Sequence, residues 1–350
     1  MPRILLLSIA SVALAGAGAP QVSSPAPGGV PRAPLPVEAF AEVPQVARPD
    51  LSPDGKRIAA KIAINGKQYF AVLTPGVEGP PKLLTPGKVD LNWWQWVNDD
   101  WLIIGIGQEV PVQGDTWYLK RALGYNATTG KQLASREAAQ NADDVIWTSR
   151  DGSARVMLAY QTSIYSNEEG FWPHVEEIDL NSGKRRTVTA GKSGVFNWYA
   201  DGAGVVRMGI GSSEDGRSRR LLYRDRPNAL FRVIDKARGR EDRLTVPALF
   251  LRDAGKALVI DDDEGGFSAL YELDLTTLER GKQLFASKGY DIGGIVGDST
   301  GFGYRGISVE ENRPEIRWTD PEMAAMQTTI SGLVKGAEAQ LVSLNRDHSR

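Results

Sequence analysis

Few residues in this chain could carry hydrolytic chemistry. A serine nucleophile of the α/β-hydrolase type lies in the pattern Gly-x-Ser-x-Gly on a strand-to-helix turn. Ser193, Ser218 and Ser308 each follow a glycine at the right distance, but each lacks the final glycine. Of the two histidines, His174 precedes an alternating strand, where a structural role is expected, and His348 lies beside the C-terminus, where little would hold a base rigidly. We therefore predict no nucleophile elbow and no catalytic residue.

The best candidate for a metal site is the acidic run Asp261-Asp262-Asp263-Glu264. Hard cations such as Ca²⁺ bind several carboxylates on a turn, but this run lacks the EF-hand spacing. It also lies where a hairpin between two strands is expected. The chain has no cysteine and two histidines, so a zinc site is not expected either. We predict no metal and no cofactor.

The element that must position these residues is a repeated Asp-centred turn, of which the first copy is Ser52-Pro53-Asp54-Gly55. The steps between copies are 45, 52, 50, 52, 45 and 49 residues, and short apolar strands follow each turn. A period near fifty with this pattern is typical of a β-propeller. The fold predicted is all-β: six complete four-stranded blades plus the start of a seventh. The central residues of the copies are Asp54, Asp99, Asp151, Asp201, Asp253, Asp298 and Asp347.

Two further features fit this fold. Gly105-Ile106-Gly107 and Gly209-Ile210-Gly211 are incomplete dinucleotide-binding patterns in strand-like sequence, and glycines near a propeller axis explain them better. Tryptophans are concentrated early in the chain, and we expect them to fill space between blades rather than to bind a ligand. They are Trp93, Trp94, Trp96, Trp101 and Trp117.

One segment departs from the β pattern, and we predict a short helix near residues 321–335. Either Thr319 and Glu322 form a capping box, or Asp320 caps the helix with Pro321 at its first position. Apolar residues then follow at helical spacing, which predicts that one face packs against the propeller rim or a neighbouring domain. These residues are Met323, Met326, Ile330, Leu333 and Val334.

The N-terminus predicts export. Residues 1–19 combine Arg3, an apolar run and small residues suited to a signal peptidase, which is the pattern of a signal peptide. Residues 20–36 form a Pro-rich linker, and the propeller is expected to occupy 37–350. Without cysteine there is no lipid-attachment motif, so no membrane anchor is expected. The net charge of −2 and the lack of a clustered basic face argue against nucleic acid as a partner. We predict a periplasmic or secreted protein.

The order of three motifs resembles the exported bacterial serine peptidases of the prolyl oligopeptidase family. These motifs are residues 40–55, which end in Ser-Pro-Asp-Gly, the run Trp-Val-Asn-Asp-Asp at 96–100, and Thr-Asp-Pro-Glu-Met at 319–323. In that family a propeller of seven or eight blades precedes an α/β-hydrolase domain with a Ser-Asp-His triad. The resemblance covers residues 37–350 and implies a substrate-gating propeller for peptide substrates. The catalytic domain is absent from these residues, so no catalytic residue is carried over.

The resemblance also directs attention to two acidic pairs, Glu168-Glu169 and Glu310-Glu311. In dipeptidyl-peptidase relatives, acidic pairs on the propeller hold the free amino group of the substrate, and paired carboxylates would suit an ammonium group. Both pairs here lie in polar loops, where solvated side chains are the simpler expectation. Whether either pair contacts substrate stays open.

A different class of function is kept as an alternative: a stand-alone periplasmic TolB-like propeller that binds a partner or acts as a scaffold. A propeller enzyme such as a lactonase would need metal ligands around the axis, and none is identified. The repeat count predicts that the propeller is truncated and its ring open by about one blade. Unpaired strand edges and exposed apolar faces favour association. We therefore expect self-association, which light scattering on a size-exclusion column would reveal.

Overall fold

A computed structural model provides the structure, which describes residues 45–349 except 78–80, 85–87, 136, 214, 240 and 335–338. The predicted signal peptide and linker lie outside the described residues. Among the described residues, no helix combines the length and apolar character needed to cross a bilayer. The chain forms two compact units. Their described parts are residues 88–325 in the first unit, and residues 45–84 with 326–349 in the second.

The first unit contains five consecutive sheets, here called sheets 2 to 6. The first four of these have four strands each. Sheet 2 consists of β5 (Asp90–Trp96), β6 (Trp101–Val112), β7 (Asp115–Asn126) and β8 (Gln132–Ala134). Sheet 3 consists of β9 (Asp144–Thr148), β10 (Arg155–Tyr160), β11 (His174–Asp179) and β12 (Arg185–Thr189), and sheet 4 of β13 (Val195–Ala200), β14 (Val206–Ser212), β15 (Ser218–Tyr223) and β16 (Arg232–Arg238). Sheet 5 consists of β17 (Leu249–Phe250), β18 (Lys256–Asp262), β19 (Ser268–Asp274) and β20 (Arg280–Phe285).

Sheet 6 differs from the predicted four-stranded blade. It has three strands among the described residues: β21 (Ile292–Gly297), β22 (Tyr304–Glu310) and β23 (Pro314–Trp318). The helix α1 (Pro321–Leu333) follows β23 directly, which confirms the short helix predicted near residues 321–335. Asp320 begins this helix, because its carboxylate accepts hydrogen bonds from the amides of Glu322 at 2.9 Å and Met323 at 3.4 Å. The Asp320 alternative for the cap is therefore confirmed.

The second unit contains sheet 1, made of β1 (Val46–Leu51), β2 (Ile58–Ile64), β3 (Lys67–Leu73) and β4 (Lys82–Leu84). Its strands pair antiparallel in chain order, as they do in every other sheet. Asn65 and Gly66, a pair typical of tight hairpins, form the turn between β2 and β3: both residues have positive φ, 51° and 75°. Ile64 pairs with Lys67 across this turn, so the register follows from the two-residue loop.

The core of the first unit lies between consecutive sheets. Trp101 and Ile103 of sheet 2 pack in one cluster with Val156 and Leu158 of sheet 3, and all four are nearly inaccessible. Similar clusters join sheets 3 and 4, sheets 4 and 5, and sheets 5 and 6. Sheets 3, 4 and 5 therefore bury apolar side chains on both of their faces, which is how blades pack in a propeller. The predicted β-propeller fold is confirmed.

The early tryptophans and the strand glycines serve this packing. Trp94, Trp96 and Trp101 are buried, which confirms their predicted packing role. A side chain at Gly105 would overlap the indole ring of Trp93, and a Cβ at Gly209 would lie 2.8 Å from the ring of Trp198. These glycines make room for tryptophan rings on the neighbouring strand. They therefore serve packing within the sheets and do not form a nucleotide-binding loop.

The predicted apolar face of the helix is only partly confirmed. Met323 is buried, but Leu333 and Val334 are exposed, Leu333 by 78%. Helical spacing alone therefore overstated how much of this segment packs. In the second unit, the side-chain amide of Gln327 instead bonds to the backbone of the segment that follows, at Ala339 (2.7 Å) and Leu341 (3.0 Å).

Candidate functional site

The repeated turns share one hydrogen bond. In each copy a side-chain oxygen accepts from the backbone amide two residues further on, at 2.9–3.1 Å, which is the geometry of an Asx turn. In sheets 1 to 6 the turn connects the first strand to the second. The accepting residues are Asp54, Asn98, Asp151, Asp201, Asp253, Asp298 and Asp347.

The second copy corrects the sequence analysis. The turn is formed by Asn98, whose side-chain oxygen accepts from the amides of Asp100 at 3.1 Å and Trp101 at 2.8 Å. The sequence pattern had assigned this position to Asp99. An asparagine oxygen accepts the same hydrogen bond as a carboxylate, so a search for aspartate alone displaces the register by one residue.

Several of these turns contact one another within the first unit. The Asn98 side-chain nitrogen donates to the carbonyl of Gly152 at 3.0 Å, which joins the turns of sheets 2 and 3. The indole nitrogen of Trp147 donates to the carbonyl of Gly202 at 3.1 Å, which joins sheets 3 and 4. Arg150 of sheet 3 donates to the carbonyl of Ser299 in sheet 6 at 3.0 Å. We call this end of the five sheets the turn end.

The seventh turn lies against sheet 1 in the second unit. The Arg346 amide donates to the carbonyl of Pro53 at 2.7 Å, and the Leu51 amide donates to the Ser343 hydroxyl at 3.1 Å. Asn345 is buried and its side chain bonds to Asp347 and Ser349. The last copy of the motif is therefore folded as an Asx turn and is fixed to the first copy.

One segment does match the nucleophile pattern, and this corrects the sequence analysis. Gly297-Asp298-Ser299-Thr300-Gly301 has the spacing Gly-x-Ser-x-Gly, although it was assigned only as the sixth turn. The structure places it between strands β21 and β22, with no helix after it. The Asp298 carboxylate accepts the amides of Thr300, Gly301 and Gly303, so the pattern serves the turn. A nucleophile elbow needs a strand-to-helix turn, and this hairpin is not one.

His174 lies in a cluster of polar side chains on sheet 3. Its ring lies 4.6 Å from the ring of Tyr160, and its Nε2 lies 3.5 Å from Glu176. The Tyr160 hydroxyl donates to Glu176 at 2.6 Å, and Arg185 pairs with the same carboxylate at 3.6 Å. Tyr160 and Glu176 are buried. The Glu176 carboxylate is hydrogen-bonded and paired within the cluster, which fits the structural role expected for His174.

The two acidic pairs differ in their surroundings. Glu168 and Glu169 are exposed, at the start of the single 3-10 turn Glu169–Phe171. Glu310 is exposed at the end of β22, whereas Glu311 accepts from the Ser287 hydroxyl at 2.9 Å and pairs with Arg317 at 3.1 Å.

These bonds hold the pKa of Glu311 below its usual value, chiefly the bond from Ser287. Its charge is thus partly neutralised within the chain, which leaves Glu310 as the more available member of that pair.

The acidic run 261–264 forms the hairpin between β18 and β19, as expected. Arg280 pairs with Asp261 at 3.0 Å and also donates to the carbonyl of Asp262. The Asp263 carboxylate accepts the amides of Gly265 and Phe267 and so closes the turn. Among the described residues, no group of three or more acidic or histidine side chains is arranged to hold a metal ion.

The acidic pairs and the acidic hairpin lie at the other end of the sheets. In an antiparallel meander, connections between the second and third strands lie opposite the turns between the first and second. The longest such connection is 161–173 in sheet 3. It carries an aromatic group in which the rings of Phe171 and Trp172 lie 5.0 Å apart and those of Trp172 and Phe196 lie 4.9 Å apart. We call this end the loop end.

Comparison with known proteins shows what the chain is similar to. No protein family and no curated protein matches the sequence. Among solved structures, acylaminoacyl peptidase from Pyrococcus horikoshii shares 12% identity over 82% of this chain and 47% of its own, with a TM-score of 0.43. Oligopeptidase B from Leishmania major shares 9% identity over 81% of this chain and 41% of its own, with a TM-score of 0.43.

The propeller domain of the Trilobed protease from Pyrococcus furiosus shares 16% identity over 79% of this chain and 86% of its own, with a TM-score of 0.41. The chain thus spans less than half the length of the two whole peptidases.

Proposed function

We propose that this chain is the substrate-gating propeller of an exported serine peptidase of the prolyl-oligopeptidase type. Its partner is a catalytic α/β-hydrolase domain outside these 350 residues, and its substrates are peptides. The observation that carries the proposal is the family-like opening at residues 40–55, which ends in the Asx turn of Asp54. The same kind of turn recurs in each of the other sheets. The triad would come from the partner, because the one Gly-x-Ser-x-Gly match is a hairpin turn.

The two ends of the first unit differ in which side chains are engaged within the chain and which are exposed. At the turn end, the side chains of Asn98 in sheet 2 and of Trp147 and Arg150 in sheet 3 bind the turns of other sheets. The loop end carries the exposed carboxylates Glu168, Glu169 and Glu310. We propose that peptides and the catalytic domain meet the propeller at the loop end, because the exposed carboxylates Glu168, Glu169 and Glu310 there could meet a peptide ammonium.

The test uses the chain and a prolyl-oligopeptidase-type hydrolase domain from the same genome. Purified chain alone is expected to hydrolyse no peptide. Mixed with the hydrolase domain, it is expected to form a complex that cleaves short peptides and rejects folded proteins. Turnover by the chain alone, blocked by a serine-directed inhibitor, would overturn the proposal. So would an unrestricted substrate range in a complex that has been shown to form.

A second candidate is a propeller that works by itself as a periplasmic binding or scaffold protein. The contact of Arg346 with Pro53 favours it, because the last turn is then fixed to the first sheet within one chain. Under this alternative, no hydrolase domain associates with the chain, and the chain is a stable monomer. Analytical ultracentrifugation of the chain with and without the hydrolase domain separates the two candidates.

A further inference from the structure

A polar cavity of about 210 Å³ opens between sheets 3 and 4 at the loop end. Its wall combines one indole ring, one guanidinium group and several hydroxyl groups. It is formed by Trp172, Ser193, Ser212, Ser213, Ser218 and Arg220, together with the backbone at Gly194.

Arg220 is held in place but is not fully satisfied. One terminal nitrogen donates to the carbonyl of Ser193 at 2.9 Å. Its Nε is buried and has no hydrogen-bond partner. A buried donor without an acceptor carries a desolvation cost, so the protein does not fully satisfy the guanidinium group.

Two glycines let the guanidinium lie against the backbone. A Cβ at Gly211 would lie 3.1 Å from the Arg220 Nε, and a Cβ at Gly194 would lie 3.3 Å from a terminal nitrogen. Any other residue at these positions would press on the guanidinium. The position of Arg220 is therefore built into strands β13 and β14.

Among the residues that the structure describes, Arg220 is the one charged residue in the wall of the cavity. Of the two acids five residues away from it in the sequence, Asp215 lies on the same hairpin. It accepts from the Ser213 hydroxyl at 2.5 Å and from the Arg217 amide at 3.0 Å, so it is engaged by its own turn. These bonds lower the pKa of Asp215, the largest effect coming from Ser213.

We propose that this cavity binds the carboxylate group of a peptide ligand. A terminal nitrogen of Arg220 and the hydroxyls of Ser193, Ser212 and Ser218 donate to the carboxylate oxygens, since a guanidinium group is the preferred partner of a carboxylate. The Trp172 ring, backed by Phe171 and Phe196, contacts the apolar side chain of the same residue. The choice of a peptide rests on the proposed function, whereas the carboxylate site rests on the cavity.

Binding is measured by titration calorimetry on the full chain alone, without any hydrolase domain. The probe is the tripeptide Ala-Ala-Phe with a free C-terminus, and the comparison is the same tripeptide as its C-terminal amide. We expect the amide to bind at least tenfold more weakly, because it removes the charge that Arg220 meets. Equal binding of acid and amide, or no binding of either, would overturn the proposal.

Two further probes distinguish a C-terminal carboxylate from a side-chain carboxylate and from phosphate. An amidated tripeptide with a central aspartate, Ala-Asp-Phe-amide, is expected to bind more weakly than Ala-Ala-Phe, because its carboxylate lies away from the apolar end. Inorganic phosphate is expected to compete weakly. Tighter binding of phosphate than of Ala-Ala-Phe would overturn the assignment to a carboxylate.

Substitutions of Arg220 test its part in carboxylate binding. Arg220→Gln is expected to weaken binding of Ala-Ala-Phe at least tenfold, and Arg220→Lys to restore only part of it, because lysine lacks the guanidinium fork. The matched control is Arg217→Gln on the same hairpin, whose side chain is 88% exposed, and it should change binding less than twofold. An equal loss in the control would overturn the proposal. If Arg220→Gln fails to fold, the comparison of acid and amide on the native chain still decides.

The outcome is distinguishable from that of the proposed function. Failure to associate with a hydrolase domain would overturn the peptidase proposal and leave carboxylate binding by the chain intact. Loss of the acid preference would overturn the cavity proposal even if the peptidase complex forms.

Discussion

The Arg150 guanidinium donates a hydrogen bond to the carbonyl oxygen of Ser299 at 3.0 Å, although 149 positions separate the two residues in the chain. The guanidinium lies against Gly301, where a Cβ would come within 2.6 Å of a terminal nitrogen. Burial lowers the pKa of Arg150, and the nearby charge of Asp298 opposes this effect. One arginine thus links the Asx turns of sheets 3 and 6, which do not follow each other in the chain.

We expect Arg150→Ala to lower the free energy of unfolding by about 1 kcal/mol, the size of a hydrogen bond to a charged group at a partly exposed site. Urea denaturation followed by tryptophan fluorescence measures this change. Arg217→Ala, which removes an exposed arginine, serves as the control and should change stability by less than about 0.5 kcal/mol. Equal effects of the two substitutions would show that the link contributes no stability.

The Asx turns predict a loss of stability in acid. Hydrogen bonds from Ser153 hold the pKa of Asp151 well below its usual range. The Asp298 carboxylate is disfavoured by burial, but bonds from Thr300, Gly301 and Gly303 outweigh this effect and lower its pKa. The pKa of Asp347 is lowered by bonds from Ser349. A group whose pKa is lower in the folded state contributes stability above its unfolded value of 3.8, and this is lost as the pH falls through the folded value.

We therefore expect the melting temperature to be steady from pH 7 to about pH 5 and to fall steeply below about pH 4. Scanning calorimetry across this range checks it. Asp151→Asn keeps the Asx hydrogen bond but does not titrate, so the fall should be shallower in this variant. An unchanged dependence of the melting temperature on pH in Asp151→Asn would mean that protonation of Asp151 does not contribute to the loss of stability in acid.

Ser299 provides a test of the only Gly-x-Ser-x-Gly match in the sequence. Its turn is held by Asp298, and its carbonyl is bound by Arg150, so its hydroxyl is expected to be no more reactive than that of an ordinary surface serine. A fluorophosphonate probe should leave the chain unlabelled. Labelling that disappears in Ser299→Ala but persists in Ser193→Ala would assign a nucleophile to this turn and contradict the hairpin interpretation.

Glycine substitutions test the packing of aromatic rings on strands. Gly105→Ala would drive a methyl group into the Trp93 ring, whose nitrogen donates to Asp143 at 3.0 Å. We expect it to lower the free energy of unfolding by about 1–3 kcal/mol through overpacking and loss of this bond. The control is Gly332→Ala in helix α1, where a Cβ meets open space, and it should stabilise by about 0.5–1 kcal/mol. Chemical denaturation of both variants is the measurement.

The sequence by itself determined the period and the nature of the turns. An Asx turn joins atoms only two residues apart, so its signal is contained in a few neighbouring letters, as at Ser52-Pro53-Asp54-Gly55. The same holds for the Asn65-Gly66 hairpin, whereas the sequence left two alternatives for the cap of the helix and the structure decided for Asp320. Where two residue types can make the same bond, as with Asn98 and Asp99, the local signal still identified the turn but missed the residue.

Only the tertiary structure decided which distant groups meet. The bond from Arg150 to Ser299, the pairing of Glu311 with Ser287 and Arg317, and the buried Nε of Arg220 all depend on how strands and sheets pack. The packing also decided which side chains of the helix after β23 are buried, since Met323 is buried and Leu333 is exposed. These outcomes depend on contacts between residues far apart in the chain, whose energies are not encoded in any short segment.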